Sequence, residues 1–424
     1  MTTPAETGVL LEHLFRHQAG RMVARLTRLL GPEYVALAEE TVQDAMLRAL
    51  QTWPYQGIPD NAAGWLFRVA HNVAIDALRR DKIFGDKTET IVGELTRSAG
   101  HAPDDTGVGE QFRDDELRMI FMCCHPALSR DARVALSLKI IGGFSVREIA
   151  RAFLADEAAV AQRLVRAKRQ IRDQRLTLDV PAGMELTARL DSALEVIYFM
   201  FNEGYAAQAG AELIRQDLCM EALRLGRLIA SASIATPRVH ALVALMALQG
   251  ARLPARVDEA GDLVLLADQD RSRWDERLIA IGFHHFDRSI AGADVSEYHV
   301  QAAIAATHAR AIDSRLVDWP LILELYDQLL SLNASPIVAL NRAVAIAKVH
   351  GPADALAAVA PLDRDPKLRH YHLLLAVRGQ LLLDLGRSHE AAAAFRTALT
   401  CACTEPERRL LTRRLEACGD GSAG

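Results

Sequence analysis

The stretch FSVREIARAFLADEAAVAQRLVRAKRQIRD, residues 144–173, decides the fold class. Ser145 is followed three residues later by Glu148, the arrangement of a capping box, in which hydroxyl and carboxylate each satisfy a backbone amide left unpaired at a helix start. A helix is expected to begin there, with Ile149, Ala150 and Phe153 as its buried stripe. Leu154, Ala155 and Asp156 interrupt it, and Asp156 is placed to cap a second helix. Along that helix Val160, Leu164, Ala167 and Ile171 recur at helical spacing, which turns Ala161, Gln162, Val165, Arg166 and Arg169 outward. Such a pair of helices suits the DNA major groove: Arg grips guanine bidentately, Gln reads adenine, and small Ala or Val side chains admit thymine methyl groups. Lys168, Arg169, Arg172 and Arg175 carry positive charge onward, suited to phosphates; an ordinary solvated basic helix end is the plainer account of the same residues.

The rest of the chain points to the same class. With 424 residues, half of them hydrophobic and only 5% aromatic, the chain has material for two to four domains built from helices, and an all-α fold is expected. The net charge of −5 gives no overall attraction to nucleic acid, so DNA binding rests on local basic segments. The six cysteines show no paired C-x-x-C spacing and no signal peptide precedes them, which predicts a reduced, cytoplasmic protein. Ile234 to Leu248 is short for a membrane span and is interrupted by Pro237, Arg238 and His240, so no membrane partner is expected. No cofactor, metal ligand set or catalytic group is expected: scattered carboxylates without a nucleophile or phosphate loop define no chemistry, and adjacent Cys123 and Cys124 chelate one tetrahedral ion poorly and are better suited to packing.

Helical spacing marks one unit over residues 9–83. Residues 84–111, rich in Gly, Asp, Thr and Ser, read as a flexible linker, and a second helical unit covers 112–178. Pro181 and Gly183 punctuate the chain before a helical extension, divided here into 184–294 and a repetitive part, 295–417. In the latter, Gly379, Ala391, Phe395 and Ala398 have tetratricopeptide-like spacing, partly repeated upstream by Ala343, Ala355, Val359 and Leu362; an irregular helical array is the alternative. Asn202, Glu203, Gly204 and Tyr205, with Asp270, Arg271, Arg273, Trp274 and Asp275, form polar clusters better explained by buried hydrogen bonds than by catalysis.

The segment HPALSRDARVALSLKIIGGFSVREIARAF, from His125, resembles region 4 of the sigma-70 superfamily, particularly of extracytoplasmic-function sigma factors. That resemblance implies that Ala161, Gln162, Val165, Arg166, Lys168 and Arg169 meet the minus-35 element. Upstream, AEETVQDAMLRAL from Ala38 resembles the region 2 helix that docks on the clamp helices of the largest polymerase subunit, with Glu40, Gln43, Asp44, Leu47 and Arg48 at the interface. GWLFRVAHNVAIDALRRDK from Gly64 resembles the minus-10 helix, which implies contacts by Arg68, Asn72, Arg79 and Arg80, with Asp60 and Asn61 as polar groups for an unstacked base; His71 stands where the family frequently has Arg. Trp53, Tyr55, Trp65 and Phe67 are expected mainly in the core. Nothing resembling region 1.1 or region 3 is found, as in the extracytoplasmic-function type. Stretches such as LDSALEVIYFMFNEGY and DWPLILELYDQLL resemble the group with tetratricopeptide-like extensions, associated with small proteins of the DGPF (YCII-related) family. The implied partners are core RNA polymerase, through its clamp helices and flap, promoter DNA, and a protein partner of the repeats. A stand-alone helix-turn-helix regulator is the competing expectation.

Overall fold

Among the described residues no strand forms, and Val257 and Leu263 meet in an isolated antiparallel bridge between loops. The computed structural model describes residues 18–420 except 81–107, 154, 206–214, 293, 367, 370 and 402. The chain divides into two units, Met1–Val196 and Ile197–Gly424.

In the first unit, α1 (residues 18–30) leads through a short turn at Pro32–Tyr34 into α2 (Val35–Gln56) and α3 (Ala62–Arg80). Helix α2 stops where Gly57 takes φ 84°, a conformation that a Cβ would disfavour. Its apolar stripe, Val35, Ala38, Val42, Ala45, Met46, Ala49 and Trp53, is buried, and Trp53 meets Trp65 of α3 edge-on at 5.5 Å. Then come α4 (Val108–Cys123), α5 (Arg130–Leu136) with a π turn at Ser137–Ile141, α6 (Val146–Ala152) and α7 (Glu157–Asp173). Helix α4 opens inside the stretch expected to be linker; most of that stretch lies outside the described residues.

Charged pairs tie these helices together. Asp115 of α4, fully buried, accepts from Arg25 at 3.0 Å and Arg28 at 2.6 Å, and Glu116 pairs with Arg21 at 3.3 Å. Glu39 of α2, also buried, receives Lys139 at 3.2 Å and Lys168 of α7. Gly20 makes the close approach possible, since a Cβ there would lie 2.2 Å from the Ile141 carbonyl oxygen. Cys123 and Cys124 are buried in this packing; burial pushes the Cys124 thiol up to about 11, and its Sγ lies 3.5 Å from Ser137 Oγ.

From the sequence the extension is expected to open near Met184 as a separate domain. Instead α8 (Gly183–Tyr205) runs through both units, and its first half is built into the first. The reason is hydrogen bonding at the end of α4: Arg189 donates to the Phe121 carbonyl at 3.0 Å, and Ser192 donates to that of Cys124. Those carbonyls belong to a helix terminus, whose last C=O groups otherwise lack partners. Glu195 adds ion pairs with Arg130 at 3.2 Å and Arg133 at 3.3 Å.

In the second unit, α9 (Gln216–Ala230), α11 (Glu276–Ser289) and α12 (Glu297–Arg310) pack around α10 (Pro237–Gly250). Residues Ala241 to Ala247 of α10 are all fully buried, which accounts for the apolar stretch met in the sequence: a helix apolar all round belongs inside a protein as well as in a bilayer. No helix among the described residues is long and apolar enough to cross a membrane. Gly282 lets α11 lie against Leu248, where a Cβ would come within 2.5 Å. Antiparallel helices follow: α13 (Trp319–Leu332), α14 (Pro336–Val349), α15 (Pro352–Val359), α16 (His372–Asp384), α17 (Ser388–Leu399) and α18 (Glu405–Asp420). Gly379 of α16 faces the Phe395 ring of α17, with room for no side chain between them. Asp262 pairs with Arg409 and Arg413 of α18, and these guanidiniums hold its carboxyl below the usual range.

His240 of α10 and His285 of α11 stack with ring centroids 5.1 Å apart and Nδ1 atoms 2.9 Å apart, and His284 meets His285 edge-on. One ring donates and the other accepts only if at least one is neutral. Burial, reinforced by His240 and His284, pushes His285 down to about 4. Because this folded value lies below the unfolded value of about 6.5, the associated stability is present above pH ~6.5 and is lost as pH falls toward 4. Thermal melts across this window are expected to show a falling midpoint, with a shallower decline in His285→Asn; equal slopes would contradict the assignment.

Candidate nucleic-acid interface

The helix-turn-helix forms from the caps its sequence encodes. Ser145 Oγ accepts from the Glu148 amide at 3.1 Å while Glu148 Oε2 accepts from the Ser145 amide at 2.7 Å, closing the capping box at the start of α6. Asp156 Oδ1 accepts from the Ala159 amide at 3.0 Å and starts α7. Val160, Leu164, Ala167 and Ile171 are the buried residues of α7. Its opposite face is open: Gln162, Val165, Arg166 and Arg169 are exposed, Val165 at 67%, and Ala161 is half-buried between them.

Among these cations the environments differ. Arg166 has no partner among the described residues and is available for a base or phosphate. Arg169 donates to Asp173 at 3.1 Å, and hydrogen bonds from Arg172 and Arg169 hold the Asp173 carboxyl below its usual range. Lys168, grouped with the DNA contacts by resemblance, is only 20% exposed and reaches Glu39. In this arrangement its ammonium is occupied within the unit.

Helix α3 presents a second stripe. Arg68, Asn72, Asp76, Arg79 and Arg80 are exposed and recur at intervals of three and four, so they share one face. Arg80 Nε donates to the Asp76 carbonyl at 3.1 Å. At the head of the helix Asn61 Oδ1 accepts from the Gly64 amide at 2.7 Å, a capping role for a residue expected to touch an unstacked base; Asp60 beside it is exposed. His71 is 2% exposed, packed near Phe67, so it offers no phosphate contact from this face. Of the four aromatics expected in the core, Trp53 is there and Trp65 and Phe67 are half-buried, but Tyr55 is 89% exposed. A helix end with a following Gly57 turn gives it nothing to pack against.

On α2, Glu40, Leu47 and Arg48 are exposed and Gln43 and Asp44 half-buried along one stripe. Leu47 at 56% and Leu50 at 47% exposure put apolar area on an otherwise polar face, the mixture that a docking surface uses. Glu39 went unassigned in the sequence reading. Its signal was an acid beside the apolar stripe of α2, where burial requires a cation from elsewhere in the chain.

Comparison with known families fits this geometry. Sigma-70 region 2 matches residues 14–83, the span of α1 to α3, and Sigma-70, region 4 matches residues 118–171, which include α5, α6 and all but the last two residues of α7. The chain carries regions 2 and 4 of the sigma-70 family. Members of the sigma-70 family are transcription initiation factors, and the two regions imply core RNA polymerase and promoter DNA as partners. A further match, to a family of unknown function (DUF6596), covers residues 189–290 and so begins on α8 at Arg189. The chain is 41% identical over 381 residues to an uncharacterized protein, R00370, of Rhizobium meliloti (strain 1021), covering 90% of this chain and 89% of that one. No solved structure matches it.

Proposed function

We propose that this sigma-70 chain is a factor of the extracytoplasmic-function type, in which α7 reads the minus-35 element, α3 the minus-10 element, and the α2 stripe docks on the clamp helices of core polymerase. The observation that carries the proposal is the open face of α7, where Gln162, Val165 and Arg166 project from a helix whose other face is buried. The stripe Arg68, Asn72, Arg79 and Arg80 supports the minus-10 role, and the exposed leucines of α2 support docking. The extension, with its antiparallel helix pairs and the Gly379–Phe395 contact, is read as tetratricopeptide-like and as a modulator of activity through a protein partner.

Purified chain added to core polymerase is expected to direct transcription from a cognate promoter. Specific duplex binding that needs no polymerase, with no transcription, would instead establish the stand-alone regulator. Arg166→Ala is expected to weaken minus-35 recognition by roughly 1 to 3 kcal/mol, the value of a bidentate base contact. Transcription from minus-35 variants checks this, and an unchanged promoter preference would remove Arg166 from the interface.

A further inference from the structure

The second unit contains a group of arginines that the sigma-factor reading does not use. Arg252 follows the end of α10, Arg256 lies one turn further, and Arg271 sits in the loop before α11. Arg252 and Arg271 both lie against the Trp274 ring, with Cζ 5.6 Å and 4.6 Å from its centroid, and Arg256 lies 4.0 Å from the Tyr205 ring.

None of the three makes an ion pair among the described residues. Arg252 Nε donates to the Gln269 side chain at 3.3 Å, Arg256 donates to the Tyr205 carbonyl, and Arg271 Nη1 donates to the carbonyls of His308 at 2.7 Å and Ala311 at 2.8 Å. Asp313, which attracts Arg271, is itself held by Arg315 at 2.6 Å.

Two buried donors call for an acceptor at this place. Among the described residues, Arg271 Nη2 and Trp274 Nε1 are buried donors without a hydrogen-bond partner, and His308 Nδ1 is buried and unpartnered as well. Buried polar groups are normally satisfied, and grouped guanidiniums repel unless negative charge lies between them. His308 is not a source of that charge. Burial, then Arg252 and Arg271, push it down to about 4, so at neutral pH it is an uncharged imidazole. Tyr326 is not one either: burial pushes its phenol up to about 12.

We infer that Arg252, Arg256 and Arg271, with Trp274 and His308, form a binding site for a small-molecule oxyanion, a carboxylate or a phosphate. Guanidinium forks match both groups bidentately, and Trp274 supplies an N–H beside them. Cation–aromatic stacking alone positions the arginines but leaves these donors open and supplies no ion pair among the described residues. Arg256 also holds the last residue of α8, the helix whose Arg189 and Ser192 grip the end of α4 in the region 4 match.

The test is a thermal melt and calorimetric titration of the full chain at matched ionic strength, with inorganic phosphate, adenosine monophosphate and citrate as separate probes against sodium chloride. At least one probe is expected to bind saturably and to raise the melting midpoint as its concentration passes the dissociation constant. Phosphate and the nucleotide succeeding where citrate fails assigns a phosphoryl ligand; the converse assigns a carboxylate. Arg252→Gln should lose at least tenfold in affinity while Arg342→Gln, at an exposed ion pair elsewhere, keeps it. Should Arg252→Gln not fold, Arg252→Lys retains charge without the fork and should still lose affinity. Millimolar probes that give no saturable effect, or the same effect in wild type and the Arg252 variants, overturn the site. These readouts need no polymerase, so they fail or succeed independently of the sigma-factor assignment.

Discussion

Asp115→Ala is expected to lower the stability of the first unit by about 2 to 4 kcal/mol, because it removes a fully buried carboxylate shared by Arg25 and Arg28. Asp115 has no exposed side-chain surface, whereas Arg25 and Arg28 are 24% and 43% exposed. After the substitution both guanidiniums recover some hydration, which places the cost below that of stranding a fully buried charge. The Arg21–Glu116 pair is then the ion pair left between α1 and α4 among those described above. Arg28→Ala leaves Asp115 paired with Arg25 and should cost about 1 kcal/mol or less. Urea unfolding followed by circular dichroism distinguishes the two; near-equal midpoints would show that Asp115 is not the centre of the network.

Leu242→Ala should destabilise the second unit by about 3 kcal/mol, within the range of roughly 2 to 5 seen for leucine truncation in cores. Leu242 is fully buried in α10, among helices that would have to move together to fill the cavity. Leu242→Met keeps the volume and should cost under about 1.5 kcal/mol. Leu332, 47% exposed at the end of α13, is the control: its truncation should change the midpoint little. A comparable loss at both leucines would mean that α10 is not the centre of this core.

Local structure was legible because its causes are local. The Ser145–Glu148 and Asp156 caps form within one turn of the residues that specify them. The 3.6-residue period alone identifies Val160, Leu164, Ala167 and Ile171 as the inner face of α7, and hence Gln162, Val165 and Arg166 as its outer face. The general tendency of aromatic residues to be buried did not hold for Tyr55, which is 89% exposed near the end of α2. Helical periodicity could not separate a buried helix from a membrane span in Ile234 to Leu248. Length and interruption pointed away from the span, and complete burial of Ala241 to Ala247 supplies the positive reason.

Long-range partners were not legible. Glu39 and Lys168 stand 129 residues apart, and Arg25 and Asp115 stand 90 apart. Periodicity tells which side of a helix each occupies, but an ion pair is decided by which helices meet and at what register. Lys168 therefore looked like one more phosphate contact at the end of a basic helix. The start of the extension shifted for the same reason, since Arg189 and Ser192 find their acceptors on α4, 68 residues earlier.

The sequence by itself determined an all-helical chain, the helix-turn-helix with its caps, and the face that α7 turns outward, because helix formation and amphipathicity are set by neighbours within a few residues. Only the tertiary structure decided which charges are already satisfied, that α8 is shared by both units, and that Arg252, Arg256 and Arg271 gather around Trp274 and Tyr205 without a carboxylate partner among the described residues. Electrostatic satisfaction depends on distance and burial in space, and neither is encoded in sequence spacing.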